Sequence, residues 1–151
     1  MKKIRFGVLS TARIGTEKVI PAMRQGRFTE VTAICSRSEE KAHSAAQKNG
    51  IAKYYGSYEA LLADPEIDAV YIPLPNHLHC PWSKKAMEAG KHVLCEKPLG
   101  LNREEIEDLI RTRDRCGVKA AEAFMVKSCP QWIDARDRVR RGEIGELRMI
   151  Q

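Results

Sequence analysis

The segment KHVLCEKPLG, residues 91–100, places a carboxylate, an amine and a proline directly behind a short apolar run. Desolvating two charges at the end of a buried strand is costly unless each has a partner, so Glu96 and Lys97 need a structural or chemical reason. A partly desolvated lysine beside a carboxylate can donate or accept a proton as the bonds of a bound substrate change. Lys97 is therefore the candidate catalytic residue. The alternative is a surface ion pair that precedes a helix.

The first apolar run is followed by a turn with the layout of a dinucleotide-binding strand–turn–helix unit, but without its usual glycines. Where the pattern G-x-G-x-x-G would fall, the chain has Ser10, Thr11, Ala12, Arg13, Ile14 and Gly15. Small residues at the three glycine positions permit a tight turn and a close approach of pyrophosphate to the helix N-terminus, where N–H groups favour an anion. All six are candidate cofactor contacts. An ordinary strand-to-helix turn that uses small residues for packing is the alternative.

The end of the second apolar run indicates which dinucleotide this turn would hold. A site for NAD usually ends this strand with Asp or Glu, which binds the ribose hydroxyls. This chain has Ser36 and Arg37 there, and Lys41 follows one helical turn later. A hydroxyl and two cations suit a 2′-phosphate, because the guanidinium group binds phosphate through directed hydrogen bonds. NADP is therefore favoured over NAD, and a helix cap followed by surface charges is the alternative reading of these residues.

A polar loop follows the fourth apolar run, near the place where ligands bind open α/β sheets. The candidate cofactor contacts in this loop are Leu74, Pro75, Asn76, His77 and His79. The two histidines could suggest a metal, but no nearby Cys, Asp or Glu completes a ligand set, so we predict no metal site. An ordinary polar loop is the alternative.

Strand-like and helix-like segments alternate along the chain and would bring these residues together. The predicted strands are 4–10, 30–36, 53–55, 69–74, 92–95 and 119–123, and the predicted helices are 15–25, 38–48, 58–63, 81–89, 103–115 and 130–141. This alternation predicts an α/β fold with a Rossmann-like, doubly wound parallel sheet covered by helices on both faces. Lys97 should then emerge at the same sheet edge as the other candidate loops.

The last ten residues, 142–151, differ from the rest of the chain. They predict a turn and then a strand with no later segment to pair with, which suggests the start of a second domain. We therefore predict a dinucleotide-binding domain over 1–124. Residues 125–151 are predicted to form a linker helix and the first strand of a truncated α/β substrate domain, with the rest of that domain missing.

Composition excludes several classes of protein. The chain has 151 residues, 43% of them apolar and 30% charged. No apolar run approaches the ~20 residues of a membrane helix. The net charge of +6 is spread along the chain without interleaved aromatic residues, which argues against nucleic-acid binding. The five cysteines form no C-x-x-C pair and the N-terminus lacks a secretory pattern, so we predict a reduced, cytoplasmic protein.

These features together resemble the N-terminal domain of the Gfo/Idh/MocA oxidoreductase family. The resemblance covers essentially the whole chain. Its most specific marks are AGKHVLCEKPLG at 89–100, YGSYEALLADPEIDAVYIPLPNHLH at 55–79 and GEIGELRMIQ at 142–151. LSTARIG, CSRS and EAFM look like the branch that contains dimeric dihydrodiol dehydrogenases and NADP-linked xylose dehydrogenases.

The resemblance implies a role for each group of candidate residues. Glu96-Lys97-Pro98 is the family's signature, with Lys97 the catalytic lysine beside the nicotinamide and a candidate cis peptide before Pro98. Residues 12–15 would lie along the pyrophosphate, residues 36, 37 and 41 around the adenosine phosphate, and residues 74–79 along the middle of the cofactor. The resemblance also implies a sugar-like substrate, a homo-oligomeric full-length protein and a second domain that supplies further catalytic and substrate contacts.

The sequence therefore predicts the cofactor-binding domain of an NADP-dependent oxidoreductase, which interconverts a hydroxyl and a carbonyl on a sugar, polyol or related diol. Hydride would pass between the nicotinamide and the substrate carbon while Lys97 assists proton transfer. The alternative is a non-catalytic NADP-binding sensor or interaction module, in which Lys97 has no obvious use.

Overall fold

A six-stranded parallel sheet forms the centre of the computed structural model, which describes residues 2–149. The strands are β1 (Ile4–Leu9), β2 (Thr29–Cys35), β3 (Lys53–Tyr55), β4 (Ala69–Ile72), β5 (His92–Cys95) and β6 (Ala120–Glu122). Their order across the sheet is β3-β2-β1-β4-β5-β6, and every neighbouring pair is parallel. This is the doubly wound Rossmann order, so the predicted fold class is confirmed.

Helices connect the strands on both faces of the sheet. A π-helical turn, Gly15–Val19, continues as α1 (Ile20–Gln25). The other helices are α2 (Glu39–Asn49), α3 (Tyr58–Ala63), α4 (His79–Glu88), α5 (Arg103–Cys116) and α6 (Pro130–Arg140). Each predicted strand and helix before Gly142 ends within two residues of the observed bounds. Two short 3₁₀ turns, Asn76–Leu78 and Met125–Ser128, were not predicted.

The central strand β4 shows why the sheet needs helices on both faces. All four of its residues are buried, and successive side chains of a strand point to opposite faces. Val70 and Ile72 lie in the apolar cluster that includes α3, α4 and α5, whereas Tyr71 lies in the cluster that includes α1 and α2. The core therefore consists of two layers separated by the sheet.

Charged residues stabilise the amino edge of the sheet. Lys91 is 7% exposed and its ammonium donates to the carbonyl oxygens of Asp64 (2.7 Å) and Ile67 (2.9 Å), while burial lowers its pKa. Burial raises the pKa of the Asp64 carboxyl, but hydrogen bonds from Lys53 and Tyr55 lower it more, to about 2. These buried charges have partners, as their desolvation requires. Their role at this edge is structural.

The segment after α6 differs from its prediction. Residues 142–149 contain turns and no strand, and residues 150 and 151 of the predicted strand lie outside the described residues. A strand needs a hydrogen-bonded neighbour, and residues 146–149 make no backbone hydrogen bond within 2–149. α6 buries none of its residues. The division into domains stays a prediction.

β1 ends at a residue with an unusual backbone. Ser10 has φ +132°, a conformation that side chains rarely adopt and that glycine adopts freely. Its hydroxyl donates to the Pro73 carbonyl beyond β4 (3.1 Å) and accepts from the Ala12 N–H (3.2 Å). Ser10 thus occupies the place of the first glycine in the dinucleotide-binding pattern. Its side chain also joins the turn after β1 to the loop after β4.

Two substitutions separate the strain at Ser10 from its hydrogen bonds. We expect Ser10→Ala to lower the free energy of unfolding by about 2 kcal/mol, because it keeps the strained backbone and removes both bonds. Ser10→Gly removes the same bonds but relieves the strain, so its loss should be smaller by about 1 kcal/mol. Urea unfolding followed by circular dichroism measures both losses. Equal losses would contradict a strained Ser10.

Candidate functional site

The candidate residues lie at one edge of the sheet. β2, β1, β4 and β5 are consecutive neighbours and run parallel, so their carboxyl ends meet there. Residues 10–15 follow β1, 36–41 follow β2, 74–79 follow β4, and 96–97 follow β5. The structure therefore brings together four groups that are far apart in the sequence. The roles of these four groups stay predictions.

The turn after β1 offers free donors to an anion. Within residues 2–149, the backbone N–H groups of Arg13, Ile14 and Gly15 have no hydrogen-bond acceptor, as expected for a first helical turn. The Ala12 N–H is already bonded to the Ser10 hydroxyl. A Cβ added at Gly15 would lie 3.4 Å from Pro73 Cγ and 3.6 Å from Tyr71 Cε1, so the turn packs closely against β4. Three donors at a helix start suit a phosphate oxygen.

The end of β2 carries two unpaired cations. Arg37 and Lys41 are exposed, and neither forms an ion pair within residues 2–149. The cap of α2 is Ser38, whose hydroxyl accepts from the Lys41 N–H (3.3 Å). The Ser36 hydroxyl instead accepts from the Ser38 N–H (3.3 Å), so the alternative reading of Ser36 as the cap is wrong. A hydroxyl and two cations remain together at this corner.

A cleft of about 420 Å³ lies beside Arg37 and was missed by sequence reasoning. Its lining is Arg37, Gly56, Ser57, Tyr58, Glu59, Leu78 and Trp82. Tyr58 and Trp82 meet edge to face with ring centroids 4.8 Å apart, and the Lys85 ammonium lies 4.1 Å from the centre of the Trp82 ring. The cleft thus has a rigid aromatic wall. Since Tyr58 and Trp82 belong to different helices, only the fold reveals that they are neighbours.

A second cleft, of about 500 Å³, lies elsewhere on the molecule. It is lined by residues such as Lys3, Arg24 and Glu30, which belong to the amino edge of the sheet or its flanks. None of the candidate residues lines it. The volume of a cleft is therefore not the criterion for the candidate site, which rests on the convergence of donors and cations at the carboxyl edge.

The loop after β4 has an exposed part and a buried part. Pro75, Asn76 and His77 are exposed and available for contacts. Leu74 is buried, and His79 is 1% exposed. The His79 ring nitrogens lie 2.7 Å from the Pro98 carbonyl oxygen and 2.6 Å from the Leu74 carbonyl oxygen. The His79 ring thus joins two loops within the protein, and its contact with the cofactor stays a prediction.

Two residues of the neighbouring strand β4 fix the start of the turn that carries Lys97. The buried Tyr71 hydroxyl donates to the Glu96 carboxylate (2.7 Å), and the Glu96 N–H donates to the Ile72 carbonyl (3.1 Å). Burial first, and then the Glu96 carboxylate, raise the pKa of Tyr71, so its hydroxyl keeps its proton. The Lys97–Pro98 peptide is cis, as the resemblance implied.

Lys97 is the residue of this turn whose side chain has no partner within residues 2–149. Its side chain is exposed, and within residues 2–149 it has no side-chain hydrogen bond or ion pair. The main chain after it is held on both sides, by His79 at the Pro98 carbonyl and by Glu122, whose carboxylate accepts from the Leu99 N–H (2.9 Å). The arrangement leaves a free amine on a fixed turn.

The described residues hold neither a metal-binding cluster nor a membrane-spanning helix. Residues 2–149 contain no group of three or more His, Cys, Asp or Glu side chains placed to hold a metal ion. In the same residues, every helix is too short or too polar to cross a bilayer.

Known proteins similar to this chain include oxidoreductases with a Rossmann fold. The model of a family described as an oxidoreductase family with an NAD-binding Rossmann fold matches residues 4–124. The chain is 56% identical over 151 residues to an uncharacterized oxidoreductase of Rhizobium meliloti, covering 100% of this chain and 45% of that protein. It is 49% identical over 125 residues to D-xylose 1-dehydrogenase (NADP(+)) 2 of Haloferax volcanii, covering 83% of this chain and 38% of that protein.

A solved structure is similar over nearly the whole chain. It is a 3-ketoreductase from Actinomadura kijaniata in complex with NADP and TDP-benzene, with a TM-score of 0.90 and 39% sequence identity. The match covers 97% of this chain and 45% of that one, so the chain spans less than half the length of these relatives. The matched residues include all the candidate strand ends, and the chain belongs to the Gfo/Idh/MocA oxidoreductase family.

Proposed function

We propose that this chain binds NADP at the carboxyl edge of its sheet and serves an oxidoreductase that interconverts a hydroxyl and a carbonyl on a sugar, polyol or related diol. One observation carries the proposal: free N–H donors, two unpaired cations and an uncommitted lysine converge at a single sheet edge. The names of the relatives, a D-xylose 1-dehydrogenase and a 3-ketoreductase, support the exchange between a hydroxyl and a carbonyl, and the first supports a sugar as the substrate.

The pyrophosphate of the cofactor would lie against the turn after β1. The N–H groups of Arg13, Ile14 and Gly15 donate to its oxygens, and the positive end of the helix dipole adds to their effect. Ser10, Thr11 and Ala12 form the approach to this helix start. Ser10 keeps the turn in place through its bond to Pro73.

The adenosine end would lie at the end of β2. Ser36, Arg37 and Lys41 would surround the 2′-phosphate, because a hydroxyl and two unpaired cations complement its charge and its hydrogen-bond acceptors. The adenine ring would enter the cleft beside Arg37, against the aromatic wall formed by Tyr58 and Trp82.

The remaining loops would hold the rest of the cofactor. Pro75, Asn76 and His77 would contact its middle, with Leu74 and His79 supporting them from inside the protein. Glu96 and Lys97 would lie at the nicotinamide, which exchanges hydride with the substrate carbon when the cofactor is bound. The Lys97 amine would transfer a proton to or from the substrate oxygen.

Two segments of the chain would have different roles. Residues 1–124 would bind the cofactor, and residues 125–151 would begin a substrate domain. Exposed Met125 and Trp132, together with an α6 that buries no residue, support an association of this region with further protein.

Arg37 should decide the choice between the two dinucleotides. We expect NADPH to bind more tightly than NADH, and Arg37→Asp to weaken NADPH binding roughly tenfold to a hundredfold, because charged hydrogen bonds to the 2′-phosphate are lost. Isothermal titration of this chain with each cofactor measures both affinities. Arg140→Asp is the control, since it changes the net charge equally from exposed α6. Equal affinities for NADPH and NADH before and after Arg37→Asp would contradict the assignment.

Tryptophan fluorescence should locate the adenine ring. The chain has two tryptophans, Trp82 in the cleft and exposed Trp132 in α6. We expect NADP to change the emission of the chain, because a stacked adenine replaces water next to Trp82. The change should persist in Trp132→Phe and disappear in Trp82→Phe. A change that persists in Trp82→Phe would place the adenine outside this cleft.

Lys97 should matter more for turnover than for binding. In a chimera, the matched segment of this chain replaces its counterpart in the Haloferax volcanii dehydrogenase, and NADPH formation with D-xylose is followed at 340 nm. We expect Lys97→Ala to reduce kcat roughly a hundredfold or more, because proton transfer is lost, while the NADP dissociation constant changes less than tenfold. Lys97→Arg keeps the charge and should not restore kcat. An undiminished rate in Lys97→Ala would exclude the proton-transfer role.

A further inference from the structure

Glu122 lies at the end of β6, the edge strand beside the strand that leads to Lys97. The register of the two strands pairs Glu122 with Cys95, and the Ala123 N–H donates to the Cys95 carbonyl (2.7 Å). The end of β6 is therefore fixed against the end of β5. Glu122 is exposed, so its side chain is not needed to fill the core.

Within residues 2–149 the Glu122 carboxylate makes one hydrogen bond. Its Oε1 accepts from the Leu99 N–H at 2.9 Å, and within residues 2–149 it forms no ion pair. Leu99 is two residues beyond Lys97, on the far side of the cis Lys97–Pro98 peptide. A carboxylate that accepts from a backbone N–H makes a charge-assisted bond. Glu122 therefore holds the main chain just after Lys97.

We propose that Glu122 is a positioning residue for Lys97. Within residues 2–149 the Lys97 side chain has no partner of its own, so the main chain on either side of it determines the point and the direction from which the amine reaches a ligand. Tyr71 holds the side before Lys97 through Glu96, and the side after it is held by His79 at the Pro98 carbonyl and by Glu122 at the Leu99 N–H. A catalytic group displaced by about 1 Å can lose much of its effect, which gives this bond a functional consequence. The inference rests on the proposed function only in that Lys97 works at a nicotinamide.

Amide hydrogen exchange of this chain tests the bond without any cofactor. We expect Glu122→Ala to raise the exchange rate of the Leu99 amide roughly tenfold, because the amide loses its acceptor. Glu122→Gln keeps an acceptor oxygen and should leave the rate within about threefold of wild type. Glu104→Ala, at an exposed position of α5, is the matched control. An unchanged Leu99 rate in Glu122→Ala, or an equal rise in Glu122→Gln, would overturn the proposal.

A double-mutant cycle on NADPH affinity tests whether Glu122 acts through Lys97. We expect Glu122→Ala to weaken binding about threefold to tenfold, with Glu122→Gln close to wild type. In a Lys97→Ala background, Glu122→Ala should cause no further loss, because the group it positions is gone. A loss of full size in that background would overturn the proposal.

The two tests separate failure of this inference from failure of the proposed function. If NADPH does not bind the wild-type chain at all, the proposed function fails, and the exchange experiment still decides whether Glu122 holds the turn. If NADPH binds and the Leu99 amide is insensitive to Glu122→Ala, the proposed function stands and the positioning role is wrong.

Discussion

The parallel pairing of β1 with β2 on one side and with β4 on the other is the constraint on which the rest of the structure depends. Val8 pairs with Ile34 in β2 and with Tyr71 in β4, so three chain segments end at the same level of the sheet. The connections leave these strands in opposite directions across the sheet, which opens a crevice between them. A one-residue slip of β4 would exchange its two faces, putting Tyr71 in the wrong apolar cluster and moving its hydroxyl away from Glu96.

The charged side chains at the two edges of the sheet differ in whether they have partners within the protein. At the amino edge, Arg5 makes three hydrogen bonds to Asp68, and Lys53 bonds to Asp64, so the charges there have partners within the protein. At the carboxyl edge, Arg13 pairs with Glu17 on the surface, whereas Arg37 and Lys97 form no ion pair within the described residues. Unpaired cations cost little where water reaches them, and they are available to an anionic ligand. The unpaired cations at the carboxyl edge, rather than the net charge of +6, are the electrostatic feature that favours an anionic ligand there.

The sequence predicted those features of the site that follow from chain order, and missed those that arise between segments. Lys97, Arg37 and the turn around Gly15 could be placed because each directly follows an apolar run, and parallel strands carry such residues to one edge. The aromatic wall of Tyr58 and Trp82 could not be found, because the two residues are on separate helices and show no common pattern. Residues 142–151 were predicted to form a turn and a strand, and no strand occurs in 142–149 for a related reason: alternating residues form a strand only where a neighbour supplies hydrogen bonds.

The turn that carries Lys97 shows how an amine can stay available beside two carboxylates. Glu96 directly precedes Lys97 and Glu122 is bound to the turn two residues after it, and a carboxylate can form an ion pair with a lysine. Both are bound to neutral donors instead, the Tyr71 hydroxyl and the Leu99 N–H. A neutral donor fixes a carboxylate without removing its charge, so the turn keeps a negative environment while the amine keeps its freedom. The two charges at the strand end therefore have a physical explanation: the carboxylates hold the turn through neutral donors, and the Lys97 amine is left without a partner in the described residues.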